Sequence, residues 1–371
     1  MFQIEEHFLK SLTQRSELDI LRRLKSPKKG VDFYSNDYLG LACNSEFQSL
    51  LIETLNTEPA LIMGATGSRL ISGNSEYTMQ TEKFITMQHN TEAALLFPSG
   101  FMANLALFSS IPQRGDTLLM DEFIHRSVRD GARLSTARCY KFRHNDLQHL
   151  EQQLKNASGR IFIAVESLYS MDGDFAPLED LASLAEQYEA ALIVDEAHAF
   201  GVFGYGLIAH KKMQNKIFAA VVTYGKAMGL HGAAVLGSQS MIDYLVNYAA
   251  PFIYTTALND WHAISIQKGY EFIAHHPELS QILQQRINQF KNAGFTSTSS
   301  TSSPIQTILV PDNSAVKALQ KELEEKQLLT FAAVTPTVKP GSERLRICLH
   351  AFNTSAEVEL LIESLKTSLK T

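Results

Sequence analysis

Six short apolar runs, separated by amphipathic stretches, occupy the middle of the sequence between residues 92 and 238. They are AALLF (93–97), TLLM (117–120), IFIAV (161–165), AALIV (190–194), AAVVT (219–223) and AAVLG (233–237). Such runs are apolar on both faces, which a parallel sheet covered by helices requires and a half-solvated antiparallel sheet does not. The alternation therefore predicts an α/β fold whose large domain has a mainly parallel sheet.

The segments around these runs predict helices and a second domain. In PLEDLASLAEQYE, Pro177 suits the first helical position, and apolar residues follow at helical spacing. Later in the chain a Ser/Thr run from Thr296 to Ser303 predicts a loop. Strand candidates follow at 305–310 and 344–349, and helix candidates at 314–327 and 355–369. We therefore predict an N-terminal segment (1–45), a large α/β domain (46–258) and a smaller α+β C-terminal domain (259–371).

The composition excludes several classes of partner. The chain of 371 residues carries 33 Lys+Arg and 39 Asp+Glu, a formal charge of −6, without a long basic block. Neither a nucleic-acid surface nor a membrane anchor is indicated, and the apolar runs are far shorter than the ~20 residues of a membrane span. Cys43, Cys139 and Cys348 are too far apart to suggest a disulfide framework, and the N-terminus lacks the apolar core of a signal peptide. We expect a cytoplasmic protein that binds a small molecule.

Other catalytic motifs are only partly present in the sequence. Val194–His198 resembles the acidic box of a nucleotide hydrolase, but Gly225-Lys226 is followed by Ala227, so the matching phosphate loop is missing. Gly73–Tyr77 begins like a hydrolase nucleophile elbow, yet Tyr77 stands where the closing glycine is needed. His275-His276 precedes Pro277 and indicates a helix end. No metal site is predicted.

An acid and a lysine at neighbouring strand ends remain. Asp195 ends one apolar run, and Lys226 follows the next run inside a loop rich in small residues. Ligands bind at the carboxyl ends of parallel strands, although either residue alone is more often a solvated loop charge. A glycine-rich loop around one lysine suits a bulky ligand held covalently close to the backbone. Gly100 and Phe101 follow another run at a helix start, where backbone amides bind anions.

Many short strings, in order along nearly the whole chain, resemble one known family. They are SNDYLGL (35–41), GATGSRLISGNSE (64–76), FPSGFMAN (97–104), DEFIHRSVRDG (121–131), RHND (143–146), ESLYSMDGDFAPL (166–178), VDEAHAFGVFG (194–204), TYGKAMGLHGAAVLG (223–237), FIYTTAL (252–258) and RLRI (344–347). These strings are similar to those of the α-oxoamine synthases, which are pyridoxal-phosphate (PLP) enzymes of the aminotransferase fold type I. The resemblance implies that fold, with PLP as cofactor.

The resemblance also implies catalytic roles. Lys226 matches the lysine that binds the cofactor covalently and later acts as the base for the substrate α-proton. Asp195 matches the carboxylate that faces the pyridine nitrogen and keeps it protonated. His125 matches the histidine stacked on the ring, and His198 matches the one near the phenolic oxygen. Ser167 is expected to hydrogen-bond near that oxygen as well.

Further residues match family positions that bind the cofactor phosphate or reach a neighbouring subunit. Gly100 and Phe101 are expected to supply amides to the phosphate, and Thr223 a hydroxyl. Thr255 or Thr256 resembles a position that the family contributes from the neighbouring subunit, which implies a homodimer with shared active sites. Threonine also has a high β-strand propensity, so the Thr-Thr pair could equally belong to a strand.

Residues in the two terminal parts of the chain match the substrate-binding positions of the family. Arg346 matches the arginine that holds the amino-acid carboxylate, for which a bidentate fork is suitable. Asn36 and Arg22 match N-terminal positions that reach the substrates. The linker from Arg22 to Asp32 is shorter than is usual in the family, and Arg22 could equally be a solvated helix charge.

Ser68-Arg69-Leu70, with Gly73-Asn74 following, resembles the branch that joins L-alanine to a pimeloyl thioester in biotin biosynthesis. The thioester carrier is either coenzyme A or an acyl carrier protein. Alternatives are a glycine acetyltransferase-like or serine palmitoyltransferase-like synthase, or a catalytically silent subunit. The chain departs from the family at Thr78, Asn259-Asp260 and Phe352–Thr354, so the acyl-chain pocket is not predicted.

Overall fold

The computed structural model describes residues 3–24 and 26–369, and its strands lie close to the predicted runs. The strands are β1 (Val31–Asp32), β2 (Ala93–Phe97), β3 (Thr117–Asp121), β4 (Arg138–Phe142), β5 (Ile161–Glu166), β6 (Ala190–Asp195), β7 (Ala219–Thr223), β8 (Ala233–Gly237), β9 (Ile305–Leu309), β10 (Leu328–Leu329), β11 (Phe331–Ala333) and β12 (Arg344–Cys348). The apolar runs thus form strands whose bounds differ from the prediction by at most one residue.

Helices connect these strands. They are α1 (Gln3–Glu17), α2 (Ser45–Thr57), α3 (Glu76–His89), α4 (Gly100–Ser110), α5 (Arg126–Leu134), α6 (Leu147–Leu154), α7 (Leu178–Gln187), α8 (Leu207–His210), α9 (Gln239–Tyr248), α10 (Ala250–Ile253), α11 (Asp260–His275), α12 (Glu278–Asn292), α13 (Asn313–Glu325) and α14 (Ser355–Leu369). Short 3₁₀ helices cover Leu41–Cys43, Pro59–Ile62 and Gln214–Lys216. As predicted, α11 ends at His275, and the described residues include no helix that is both long and apolar enough to cross a membrane.

The central sheet has seven strands in the order β2-β8-β7-β6-β5-β3-β4. Each neighbouring pair is parallel except those of β8, which runs antiparallel to both β2 and β7. The predicted mainly parallel sheet is therefore confirmed. The carboxyl ends of β5, β6 and β7 lie side by side, which places Asp195 next to Glu166 in the register of the sheet.

Both faces of this sheet are covered by apolar side chains. Along β6, Leu192 and Val194 belong to one core cluster, and Ile193 points into the other. All three side chains are at most 1% exposed. Full burial of such a side chain contributes about 1.5–3 kcal/mol, which explains why the central strands other than β4 are apolar at most positions.

One strand was not predicted, and one local prediction was wrong. Strand β4 was not predicted, because it lies at the edge of the sheet and its sequence RCYKF has exposed charged residues. Pro177 does not take the first helical position: it precedes α7, with ψ at 71°, and the helix begins at Leu178. A ψ of 71° is far from the helical value of about −42°, so Pro177 stands outside the helical turn.

A second group of elements forms at the C-terminal end of the chain. Strands β11, β12 and β9 make an antiparallel sheet, and α12 and α14 pack on each other beside it. Strand β1 pairs with β10, which ties the N-terminal segment to this C-terminal part. Helix α11, by contrast, packs on α2 and α3. The domain limits at residues 45 and 258 remain predictions.

Candidate active site

A cavity of about 220 Å³ opens at the carboxyl ends of β5, β6 and β7. Its lining includes most of the residues that the sequence selected: Gly100, Phe101, His125, Asp195, His198, Thr223 and Lys226. Residues from three strand–helix connections and from the β7–β8 connection therefore meet at one point. This position is where an α/β sheet binds its ligands.

The loop that carries Lys226 is closed on itself. The backbone N–H of Tyr224 donates to the Gly232 carbonyl at 3.0 Å, and the N–H of Leu230 donates to the Tyr224 carbonyl at 2.8 Å. Gly229 has a φ of 62°, and a Cβ there would lie 2.5 Å from the Ala42 nitrogen. A glycine is required at this close approach, which fixes Lys226 over the sheet edge.

Burial and neighbouring charges together set the state of the Lys226 amine. Burial lowers the pKa of Lys226 to about 8, while the carboxylates of Asp195 and Glu166 act in the opposite direction and the Arg346 guanidinium lowers the pKa further. The amine is therefore neutral in a larger fraction of molecules than an ordinary lysine. A neutral amine is the form that acts as a nucleophile or base.

Asp195 is fixed by donors on both carboxylate oxygens. Its Oδ2 accepts a hydrogen bond from Asn104 Nδ2 at 2.7 Å, and its Oδ1 accepts from the Ala197 N–H at 2.9 Å. Asn104 is 2% exposed and also donates to the Ser127 hydroxyl at 3.1 Å. Each carboxylate oxygen keeps a second lone pair, so Asp195 can accept one more proton donor from the cavity.

Three histidines, His125, His198 and His231, line the cavity, and the pKa values of the first two are lowered. His125 caps the N-terminus of α5, and its Nδ1 accepts from the Ser127 N–H at 3.3 Å. The pKa of His125 is lowered, and burial of the ring is the largest cause. His198 is buried, and burial, together with the charge of Lys226, holds its pKa well below the ordinary value. Its Nδ1 lies 2.7 Å from the Tyr38 hydroxyl.

A chain of hydrogen bonds links Arg346 to this cavity. Arg346 lies on β12, is 5% exposed, and donates from Nη2 to Asn36 Oδ1 at 2.9 Å and from Nε to the Ser170 carbonyl at 2.7 Å. The Tyr38 hydroxyl lies 3.1 Å from the same Asn36 oxygen. The predicted residues Arg346 and Asn36 are therefore in direct contact, and Tyr38 connects them to His198.

Six predicted residues are absent from the cavity lining: Asn36 and Arg346, which hydrogen bonds link to it, and four others. Ser167 is buried behind it, with its hydroxyl 3.5 Å from the Asp195 carbonyl. Arg22 is exposed and lines a separate cavity of about 830 Å³ between the N-terminal segment and the β10–β11 region. Thr255 and Thr256 follow α10 in a loop and form no strand.

Sequence reasoning missed three polar residues of the site, namely Asn104, Glu166 and Tyr38. Burial raises the pKa of Glu166 to about 8, the charge of Asp195 acts in the same direction, and Lys226 opposes it. All three residues stand inside the family-like strings, which was the available signal. Asn104 and Glu166 were overlooked because an amide inside a helix and an acid at a strand end are usually structural.

The departures from the family pattern have structural partners. Thr78 donates its N–H to Ser75 Oγ at 3.1 Å at the start of α3, and Asn259 caps α11. Phe352 stacks on His350 with ring centroids 4.5 Å apart, and Asn353 Oδ1 accepts the His350 N–H at 2.9 Å. These substitutions therefore stabilise the fold around the site and remove none of its polar groups.

The cavity fits a phosphorylated aromatic aldehyde. The first turn of α4 offers backbone amides, and Gly100 lies so close to Thr223 that a Cβ would be 2.5 Å from Thr223 Cγ2. Among the described residues, Glu166 Oε1 and Asn104 Oδ1 are buried without a protein partner. A lysine amine, a paired carboxylate and an anion-binding helix start are the groups that PLP requires.

Comparison with known proteins supports this assignment. Residues 28–365 match the family model "Aminotransferase class I and II". The 8-amino-7-oxononanoate synthase of Emericella nidulans is 37% identical over 98% of this chain and 95% of its own length. That of Marinobacter nauticus is 36% identical over 91% of this chain and 87% of its own length.

Solved structures show the same architecture. The 8-amino-7-oxononanoate synthase of Francisella tularensis is 28% identical and superposes with a TM-score of 0.79, covering 92% of this chain and 98% of that chain. A serine palmitoyltransferase of Sphingomonas wittichii, 21% identical, gives a TM-score of 0.87 over 100% of this chain and 98% of that chain. The chain thus belongs to the α-oxoamine synthases, the PLP-dependent acyltransferases of fold type I within the class I and II aminotransferase family.

Proposed function

We propose that this chain joins L-alanine to a pimeloyl thioester, carried by coenzyme A or an acyl carrier protein, in biotin biosynthesis. The products are 8-amino-7-oxononanoate, CO₂ and the free thiol. The relatives named for this activity support the proposal, since they match along almost the whole chain. The observation that carries it is the Arg346 guanidinium, held by Asn36 and Ser170 and linked through Tyr38 to the cavity of Lys226.

The overall reaction needs no external oxidant or reductant. The α-C–H bond of alanine breaks, a C–C bond forms to the thioester carbonyl, and the thiolate leaves. The carboxyl group then departs as CO₂, and a proton returns to the α-carbon. When bound, PLP supplies the electron sink that stabilises negative charge at that carbon.

Residues of the chain supply the proton transfers and the orientation. The Lys226 amine would hold the cofactor and, once released, would take the α-proton of the substrate. Asp195, fixed by Asn104, would keep a proton on the ring nitrogen. His125 and His198 line the cavity, where they would contact the ring and its phenolic oxygen, and Ser167 would support that oxygen from outside the lining. Gly100, Phe101 and Thr223 would bind the phosphate.

Arg346 provides the recognition of the amino acid. A guanidinium fixed on two sides presents a planar fork to the α-carboxylate. Arg22 lies in the neighbouring 830 Å³ cavity, and we assign it to the acyl donor rather than to the amino acid.

The same proposal includes a homodimer with shared sites. Thr255 and Thr256 do not line the Lys226 cavity of their own chain, so a neighbouring subunit would receive them. Large apolar side chains around that loop are exposed, with Ile71 at 87%, Tyr254 at 84% and Met63 at 70%. An exposed apolar patch of this kind marks an interaction surface. We also place the enzyme in the cytoplasm, where the free cysteines Cys43, Cys139 and Cys348 stay reduced.

Thiol release with matched substrate pairs tests the proposed substrates. Alanine, glycine and serine are each combined with pimeloyl, acetyl, succinyl and palmitoyl thioesters, on coenzyme A and on an acyl carrier protein. We expect alanine with a pimeloyl thioester to give the highest kcat/KM, and glycine to be poorer by about 10- to 100-fold because it lacks one methyl group. If another pair is preferred, the substrate assignment is wrong.

A further inference from the structure

A partly buried polar cluster outside the cavity is centred on His144, in the turn after β4. His144 Nδ1 lies 3.0 Å from Asp121 Oδ1, and Nε2 lies 2.8 Å from Asp174 Oδ2. The Phe123 ring stacks on the imidazole with centroids 4.4 Å apart, and Tyr169 meets it edge-on at 4.5 Å. The cluster therefore joins three connections of the fold through one histidine.

Both ring nitrogens of His144 face carboxylates, which accept but do not donate hydrogen bonds when ionised. Burial alone would lower the pKa of His144, but the hydrogen bonds to Asp121 and Asp174 outweigh it and raise the pKa to about 10. Near neutral pH the ring is thus a cation with a proton on each nitrogen. A neutral ring would donate to only one of the two carboxylates, and the other would keep only its bonds from the backbone of Phe123 and Asn145 or from the Asn145 side chain.

Asp174 belongs to a short hairpin, residues 167–176, that follows β5. The Tyr169 N–H donates to the Asp174 carbonyl at 3.0 Å, and the Gly173 N–H donates to the Tyr169 carbonyl at 2.9 Å. At Gly173, where φ is 70°, a Cβ would lie 2.2 Å from the Ile305 carbonyl oxygen. The hairpin is thus pressed against β9 on one side and held by His144 on the other.

The hairpin contacts Arg346 through its backbone. The Ser170 carbonyl accepts from Arg346 Nε at 2.7 Å, and the Ser170 N–H donates to Glu166 Oε2 at 3.3 Å. A guanidinium has little freedom once its Nε and Nη2 are both engaged. The position of Ser170 therefore fixes the direction in which Arg346 points.

We propose that His144 is a positioning residue: by bridging Asp121 and Asp174 it holds the 167–176 hairpin so that Ser170 orients Arg346 toward the amino-acid carboxylate. This inference rests on the proposed role of Arg346. His144 touches neither substrate nor cofactor and acts only through the hairpin. Loss of the bridge should therefore weaken amino-acid binding and leave the acyl-donor site intact.

The variant His144→Gln tests this role in the holoenzyme. Alanine binding is titrated through the change in cofactor absorbance, without acyl donor, and steady-state kinetics follow. Because small displacements of a positioning group can cost up to 100-fold, we expect the Kd and KM of alanine to rise about 10- to 100-fold. The KM of the acyl thioester should change by less than about twofold, and borohydride should still reduce the cofactor onto the protein.

A double-mutant cycle separates positioning from general destabilisation. If His144 acts through Arg346, the effects of His144→Gln and Arg346→Lys on alanine binding should be less than additive. Arg160→Gln is the matched control, because it breaks the ion pair with Asp116 at the opposite end of β3. This control should leave the Kd of alanine unchanged.

Three results would overturn the inference. They are an unchanged Kd of alanine in His144→Gln, equal losses for both substrates, or strictly additive effects in the cycle. If His144→Gln does not fold, as judged by circular dichroism, Asp174→Asn breaks the same bridge from its other side and must show the same selective loss. If the wild-type enzyme prefers another amino acid, the substrate assignment fails, and titration with that amino acid decides the role of His144.

Discussion

Lys226 lines the same cavity as Asp195 and Glu166, and its reactivity depends on the balance between burial and those charges. Burial stabilises the neutral amine, and the carboxylates stabilise the ammonium. The result is a pKa of about 8. A lysine of this kind reacts with an aldehyde at neutral pH far more readily than a surface lysine.

The rate of cofactor uptake by the apoenzyme should follow this titration. Because only the neutral amine attacks the aldehyde, we expect the rate to rise with pH and to reach half its maximum near pH 8. The measurement is the growth of cofactor absorbance after PLP is mixed with apoenzyme between pH 6 and 10.

Asp195→Asn provides the matched comparison for that titration. The substitution removes a negative charge that favours the ammonium, so the midpoint should move to lower pH. A midpoint that stays in place or moves upward would show that Asp195 does not act on the lysine.

At the residue scale, the sequence predicted Lys226 and Asp195 but not the third titratable group beside them, Glu166. Lys226 and Asp195 stand out because a glycine-rich loop and a strand end frame them. Asn104 and Tyr38 do not, since their roles arise from hydrogen bonds to Asp195 and His198 that only the folded chain creates. Arg22 matched a pattern in one dimension, but the structure places it in another cavity.

The start of α4, which we propose as the anion-binding end of the cavity, packs tightly on the end of β7. A Cβ at Gly100 would lie 2.5 Å from Thr223 Cγ2, so Gly100→Ala must push the helix away from the strand. Overpacking costs about 1–3 kcal/mol. We therefore expect the Kd for PLP to rise about tenfold, as measured by equilibrium dialysis.

Thr223→Ser removes Cγ2 and keeps the hydroxyl, so it should relieve the clash. In the double variant Gly100→Ala/Thr223→Ser, the affinity for PLP should return to that of Thr223→Ser alone. If Gly100→Ala binds PLP as tightly as wild type, or if the double variant remains weak, this packing does not shape the phosphate end.

At the scale of elements, apolar runs located the buried strands, since burial on both faces requires apolar residues at every position. The direction of β8 was not readable, because an antiparallel strand in the middle of a sheet is equally apolar. Edge strand β4 was missed for the opposite reason, as solvent exposure allows Arg138, Tyr140 and Lys141 on its surface. Both the direction of β8 and the edge position of β4 depend on which strands lie beside them, and the sequence of a single strand does not contain that information.

On the scale of the whole molecule, the proposed dimer predicts complementation between two inactive variants. A Lys226→Ala chain and a Thr255→Ala/Thr256→Ala chain are each purified, mixed, and allowed to exchange subunits. In a mixed dimer one site then combines an intact Lys226 with the intact threonines of the other chain. We expect thiol release to recover to roughly a quarter of wild type in an equal mixture, since half of the dimers are mixed and each has one intact site.

Subunit exchange is checked with differently tagged chains, and a mixture that uses wild-type chain in place of one variant sets the scale. If mixed dimers form and activity stays at the level of the separate variants, the threonines act within their own chain or not at all. The sequence predicted this arrangement only through resemblance. Chain length and periodicity contain no information on which surface meets a second copy.

The most direct test of the central claim is to identify the residue that holds the cofactor. Holoenzyme is reduced with borohydride, digested, and analysed by mass spectrometry, with Lys226→Ala treated in parallel. We predict one reduced cofactor per chain, on the peptide that contains Lys226, and none bound covalently in the variant. Cofactor on a different lysine, or an equal amount on Lys226→Ala, would contradict the assignment of this cavity as the catalytic centre.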